Sequence, residues 1–348
     1  MDIESGIIYN FFLIIACLLA FFTEKAHYNP LCLLLTYIFI VFFWAIRYKI
    51  GYDYEGYMEI FSDIKFGYNS YVEPGFGFLN KLFSFSPIGY VGVLSTMTAM
   101  SYFFLFKLFI REKILTYGIF FSMVFLLQFM LTNQVRQAFV LVYFLYIIHY
   151  LEEKKYLKYI FALLPMLLFH ISAVFLMPFV FISKIRLNKI VWIILILSTY
   201  FMYLLGFFKE IGTKLMMIFP LYEGYKMTDR MLAEDVGFSI VMFFGICVAL
   251  YLLVFDKSIN RPVLMTVFLT GIVLYNIFIE FHLIGRVVFY LTYVNVLLAS
   301  SLCKNNKVNG LPLICITFLF FLLLSGKEPS YHGTLPYQTI LEKNINHY

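Results

Sequence analysis

Apolar runs of about 16–24 residues, separated by short polar breaks, recur along the whole chain. Each of the longer runs can cross a bilayer core of roughly 30 Å as a helix. The runs lack the period-2 alternation that a membrane barrel requires, so strands are excluded as the spanning element. The pattern predicts membrane segments at about 6–23, 31–46, 87–110, 114–131, 134–151, 156–169, 171–183, 189–208, 238–255, 262–281, 285–302 and 309–326. That makes twelve segments in an all-α, polytopic membrane protein with a single membrane domain over 1–348. The pair 156–169 and 171–183 is short, about 20 Å each at 1.5 Å rise per residue. We read it as a hairpin with His170 at its tip; the alternative is one helix kinked at Pro165 or Pro178, which leaves eleven segments.

The polar positions concentrate in one place. Residues 47–86 hold Arg47, Lys49, Asp53, Glu55, Glu59, Asp63, Lys65, Glu73 and Lys81. Within this loop Tyr57, Met58, Ile60, Phe61 and Ile64 recur at helical spacing, which predicts a short helix over Tyr54–Ile64 lying along the membrane surface. Pro74 opens a second short helix through about Phe83, with Glu73 in the capping position. A carboxylate there is favoured by the helix dipole. A second loop, 209–237, carries Tyr222, Tyr225, Lys226, Asp229 and Arg230, and a polar tail covers 327–348.

Composition agrees with this pattern. The chain is 62% hydrophobic and 13% charged, against about 25% charged in soluble domains. The net charge of +6 reflects topology rather than nucleic acid, because short cytoplasmic connections are enriched in Lys and Arg. With 47–86 outside, the clusters at Lys107–Lys113, Lys154–Lys158, Lys184–Lys189, Lys257–Arg261 and Lys304–Lys307 all fall inside. The loop 209–237, the tail and both termini then face outward, and the acidic start MDIESG is unlike a cleavable signal. Cys17, Cys32, Cys247, Cys303 and Cys315 have no paired spacing, so neither a disulfide framework nor a metal site is read from them. HExxH and CxxC are absent, and we expect no metal and no cofactor. The 28 Tyr suit the bilayer interface, and those clustered in 47–86 also suit stacking on sugar rings.

Three arginines stand at the outer ends of predicted segments: Arg47, Arg136 in TNQVRQAF and Arg286 in HLIGRVVFY. Charges at membrane depth are costly, so each either snorkels to the headgroups or faces a cavity. In a cavity the planar guanidinium suits a phosphate or diphosphate. His170, in LLFHISAV, is either a hydrogen-bonded structural residue or a general base. Asp53 and Glu73 compete for the base role, and each is also a plausible loop carboxylate paired with a cation.

The order of these residues resembles the EpsG family of bacterial polysaccharide polymerases. The carrying motifs are R-x3-G-x-D-x3-Y-x3-F (Arg47, Gly51, Asp53, Tyr57, Phe61), then E-P-G-F from Glu73 to Phe76. N-x2-R-Q follows at Asn133, Arg136 and Gln137, and F-H-x-S-A at Phe169, His170, Ser172 and Ala173. The resemblance covers roughly residues 30–300. It implies a branch of the Wzy-type O-antigen and exopolysaccharide polymerases, with a metal-independent, GT-C-like architecture and a large extracytoplasmic loop. It further implies transfer of a growing glycan from undecaprenyl diphosphate to a lipid-linked acceptor, at the outer face of the bacterial inner membrane. The implied partners are the lipid-linked oligosaccharide as donor and acceptor, the bilayer and a chain-length regulator. On this expectation His170, Asp53 and Glu73 are the catalytic candidates, and Arg47, Arg136, Gln137, Arg286, Tyr57 and Arg230 bind substrate. A transporter or flippase for such lipids would show a two-halves repeat, which this chain lacks. A membrane acyltransferase acting on surface glycans is the other alternative.

Overall fold

A computed structural model of the chain describes residues 2–68, 71–211, 239–327 and 333–342, apart from the side chains of 282–284. Among these residues all regular structure is helical, save one isolated antiparallel bridge between Arg47 and Thr339. Most of the loop 209–237, with Arg230, lies outside the described residues.

The chain forms two compact units: residues 1–150, 157–174 and 310–348, and residues 151–156 and 175–309. The first begins with α1 (Ile3–Lys25), whose start is fixed by the Asp2 carboxylate accepting from the Ser5 N–H at 3.1 Å. Asn29 and Pro30 set the start of α2 (Pro30–Ala45) in the same manner. Two short helices follow, α3 (Tyr54–Phe66) and α4 (Pro74–Ser84), then the long α5 (Gly89–Glu112). The next apolar run does not form one rod. It breaks into α6 (Leu115–Val124) and α7 (Leu127–Asn133), bent by 66° where Leu126 takes a left-handed backbone. α8 (Val135–Ile147) and α9 (His149–Glu152) come next.

The run from 156 is also broken. It comprises α10 (Tyr156–Leu163), a 3-10 turn over Leu164–Leu168, an interruption at Phe169 and His170, a second 3-10 stretch over Ile171–Leu176 and α11 (Phe179–Ile182). Pro165 lacks the N–H that an α-helix needs at this position, which explains the tightening. The break falls at His170, where the sequence pattern divides the two short segments.

The second unit holds α12 (Lys189–Leu204), α13 (Ile240–Val254), α14 (Asp256–Ile259), α15 (Pro262–Phe278), α16 (His282–Thr292) and α17 (Asn295–Asn305). Here α15 packs on α12, α13 and α16. Its start is pinned by a two-bond pair between Arg261 and Glu152, and its far end by Asn276 donating to Ile196 O at 3.1 Å and Thr199 Oγ1 at 2.9 Å. The chain returns to the first unit with α18 (Lys307–Leu324).

Among the described residues five helical stretches are long and apolar enough to cross a membrane, six if the bent α6–α7 pair is one span; a further six apolar stretches there are shorter, at 10–17 residues. The chain is therefore a polytopic helical membrane protein. The expected apolar segments recur as helices, but several are shorter or more broken than straight spans.

In the first unit α5 packs against α2 and α8, and α1 against α2 and α6. An aromatic core of Tyr9, Phe12, Phe43, Trp44 and Phe129 fills its centre. Residues 333–342 return across this unit as a strap. Tyr48 N–H donates to Gln338 O at 2.9 Å, Ile340 N–H to Ile46 O at 2.8 Å and Gly51 N–H to Gly333 O at 2.8 Å, while Tyr9 Oη donates to Thr334 O at 2.6 Å. The start of the 47–86 loop is thus held in register by backbone pairing.

Candidate functional site

Glu73 sits at the position just before α4, yet its side chain makes no capping hydrogen bond to that helix. The carboxylate turns across the unit instead. Its Oε1 accepts from His170 Nδ1 at 2.8 Å and from the Ile171 N–H at 3.1 Å, and its Oε2 accepts from Arg136 Nη1 at 2.5 Å. Three segments distant in sequence therefore meet at one carboxylate. The side chains are only partly exposed: 15% for Glu73, 21% for Arg136 and 25% for His170. Partial removal from water strengthens such attractions beyond those of an open surface pair.

Burial pushes the Glu73 carboxylate upward, but the hydrogen bond from His170, the neighbouring guanidinium and the Ile171 N–H outweigh it and hold its pKa down at about 2. An ionised carboxylate only accepts, so His170 Nδ1 carries the proton in this contact. In the neutral form of the ring Nε2 is then an acceptor, and it makes no hydrogen bond among the described residues. An imidazole oriented through one nitrogen and open at the other is the arrangement a proton acceptor needs.

Arg136 is also held by aromatic rings. Its guanidinium lies over the rings of Phe76 at 5.3 Å and Tyr57 at 5.5 Å. Only Nη1 engages Glu73, and the buried Nε has no hydrogen-bond partner among the described residues. A planar cation beside an oriented imidazole suits a phosphate group.

Glycine allows this assembly. A Cβ at Gly75 would stand 2.8 Å from Leu168 O, so only glycine lets α4 approach the turn before His170. At Gly51, where φ is +100°, a Cβ would stand 2.9 Å from Asn133 Cα. That contact seats the neighbouring Asp53 N–H on Asn133 Oδ1 at 3.0 Å, three residues before Arg136. Every residue of the E-P-G-F stretch contributes. Glu73 bridges, Pro74 starts the helix, Gly75 permits contact and Phe76 lies fully buried under the arginine.

The other expected residues fare differently. Gln137 is buried one position beyond Arg136. Asp53 reaches the assembly through its backbone rather than among the bonds of Glu73, Arg136 and His170. Arg47 is not brought to the site: it is 1% exposed, and its Nη1 donates to Trp44 O at 2.6 Å and Thr98 Oγ1 at 3.0 Å. Arg286 is exposed on α16 in the second unit. Sequence reasoning missed several polar groups, of which only the first lies at the site. The Ile171 N–H is one, since backbone donors leave no trace in composition, and Thr98 is another. Glu280 is 5% exposed in the second unit, and its Oε2 has no partner among the described residues; its visible signal was a carboxylate inside the apolar run FIEFHLIG. No group of three potential metal ligands occurs among the described residues.

The family model for the EpsG family matches residues 30–339, from the start of α2 into the strap. The chain belongs to the EpsG family. No curated protein and no solved structure matches it. EpsG membership points to polysaccharide biosynthesis, and in general terms to a glycosyltransferase-like polymerase. The matched region includes Glu73, Arg136 and His170, and Gly51, Gly75 and Asn133, which position them.

Proposed function

We propose that the chain is a Wzy-type polymerase acting on oligosaccharide repeat units carried by undecaprenyl diphosphate at the outer face of the bacterial inner membrane. The observation that carries this reading is the Glu73 carboxylate shared between His170 and Arg136. The acceptor hydroxyl gives its proton to His170 Nε2, and its oxygen forms a new bond to the anomeric carbon of the donor glycan. The bond from that carbon to the diphosphate breaks, and undecaprenyl diphosphate leaves with the electron pair. Arg136 stabilises the departing charge through the donors it does not use on Glu73. Glu73 acts as a positioning residue that fixes the imidazole tautomer. Arg286 and Arg230 remain candidates for further phosphate contact, and Tyr57 and Gln137 for shaping the Arg136 surroundings.

The test is glycan analysis of cells carrying His170→Ala or Arg136→Ala. Long chains are expected to disappear while lipid-linked single repeats accumulate and the protein stays in the membrane. Loss of an aligned general base removes about 10²–10⁴ in rate. Long chains persisting in both variants would overturn the reading. Movement of lipid-linked substrate across reconstituted vesicles without any change in glycan length would identify a transporter instead.

A further inference from the structure

Arg136 is the second residue of α8, and α8 is not a simple continuation of α7. α7 ends at Asn133, Gln134 leaves the helical region at φ −97° and ψ 59°, and α8 opens at Val135 without a side-chain cap. α5 packs along the body of α8, but the first turn, with Arg136, starts from this joint. Gly51 is what packs on the joint. A Cβ there would stand 2.9 Å from both Asn133 Cα and Thr132 O, and the Asp53 N–H donates to Asn133 Oδ1 at 3.0 Å.

Gly51 is itself held by the strap. Its N–H donates to Gly333 O at 2.8 Å. Gly333 has φ +67°, and a Cβ on it would stand 2.9 Å from Tyr52 N and 3.0 Å from Tyr52 Cδ1. The strap has its own anchors beside this contact. Thr334 O accepts from the buried Tyr9 Oη at 2.6 Å, Tyr337 N–H donates to Ser5 Oγ at 2.7 Å, and the Tyr337 ring stacks on Phe43 at 4.8 Å. Gly333 is therefore pressed onto residues 51 and 52 from a base fixed elsewhere. All of these residues belong to the first unit.

We infer that Gly333 is a positioning residue for the site: through Gly51 and Asn133 it sets the first turn of α8, and with it the place of the Arg136 guanidinium beside Glu73. This role rests on the polymerase reading for what Arg136 does, and adds what holds Arg136 in place. No strap residue is among the hydrogen-bond partners of Glu73, so the effect is transmitted through packing. Misplacing a reacting group by about 1 Å can cost on the order of 10²-fold in rate. Glycine is required at 333 twice over, by the left-handed backbone and by the lack of room for a Cβ. A tail that merely covered the surface would require neither.

The test uses the full chain in lipid nanodiscs and reads two quantities. Hydrogen exchange follows the Gly51 and Asp53 amides on one side of the contact and the Gln134 and Ala138 amides, bonded to Met130 O and Gln134 O, on the other. Polymerisation kinetics separate kcat from KM. Gly333→Ala is expected to speed exchange on both sides and to lower kcat about tenfold, with KM within about twofold. Asparagine tolerates the left-handed backbone, so Gly333→Asn presents the same Cβ to Tyr52 with less strain; it is expected to act in the same direction if the alanine variant fails to insert. Leu341→Ala, at an exposed strap side chain, is expected to change neither reading. In an Arg136→Lys background the loss from Gly333→Ala is expected to shrink severalfold, because the guanidinium that the contact places is gone. Faster exchange confined to Gly51 and Asp53, with kcat at the wild-type value, overturns the inference. So does a kcat loss fully additive with Arg136→Lys. Faster exchange on both sides, in a protein whose wild type makes no polymer, retains the link from Gly333 to α8 and overturns the polymerase reading.

Discussion

Arg47 and Arg136 stand at comparable places in the sequence, each where an apolar run meets a polar break, and their surroundings in the fold are opposite. Arg136 is partly open and carries a carboxylate partner. Arg47 is enclosed, held by a carbonyl and a hydroxyl, with its Nε and Nη2 buried and without hydrogen-bond partners among the described residues. A half-open cation can meet a solute. A cation sealed under Tyr54, Tyr90 and Trp44 near the strap is equipped only to shape the fold. Apolar context alone therefore does not mark a functional charge; access and the identity of the partner do.

This contrast can be broken most directly by giving both arginines the same substitution. Arg136→Met is expected to lower polymer formation by roughly 10²–10³-fold, the loss associated with one well-placed charge-stabilising donor. Arg47→Met is expected to leave membrane-inserted protein and polymer close to wild type, since an apolar chain of similar volume relieves a buried unpaired charge. Abundant, inserted but inactive Arg47→Met protein would place both arginines in the same class. Glu73→Gln comes next. It keeps the shape but removes the charge that Arg136 and His170 share, and a loss of about 10–100-fold in polymerisation rate is expected, mostly in kcat, because tautomer control is lost. Gly75→Ala sharpens the same point without touching any charge. Its Cβ forces α4 away from Leu168, so a severalfold loss of activity with normal insertion is expected.

The smallest effect concerns pH. The folded value of Glu73, about 2, lies below its ordinary 4.5. Its contribution to stability is therefore complete above the unfolded value and is lost as pH falls through the folded one. Thermal melts of wild type and Glu73→Gln should differ by a constant margin above about pH 5 and converge toward pH 2. An acid limb of polymerisation above pH 5 that vanishes in Glu73→Gln would contradict an ionised, positioning Glu73.

Much of this was legible from residue order. Hydrophobic runs located the helices, because in lipid the backbone must satisfy itself internally. Pro74 marked the start of α4, and the His170 break coincides with the division read between two short apolar segments. Glu73, Arg136 and His170 were all visible as charges or imidazole in costly places. Their union was not, since it depends on a carboxylate leaving its own helix for residues 63 and 97 positions away. The bend at Leu126 was hidden because a leucine with positive φ has no signature in an apolar run. The enclosure of Arg47 was not legible because hydropathy reports that a charge is expensive but not which groups surround it.

The strap adds a constraint in time. Tyr9 and Thr334 are 325 residues apart, and ribosomes add about 5–20 residues per second. The register of residues 46–52 cannot be fixed until the strap has emerged, well after the segments bearing Glu73, Arg136 and His170 have been made. A nascent chain thus carries its chemistry unbraced for most of its synthesis, and ribosome stalling or proteolysis before residue 333 would release an inserted but unlocked protein. The first unit is braced only once residues 333–342 have been made.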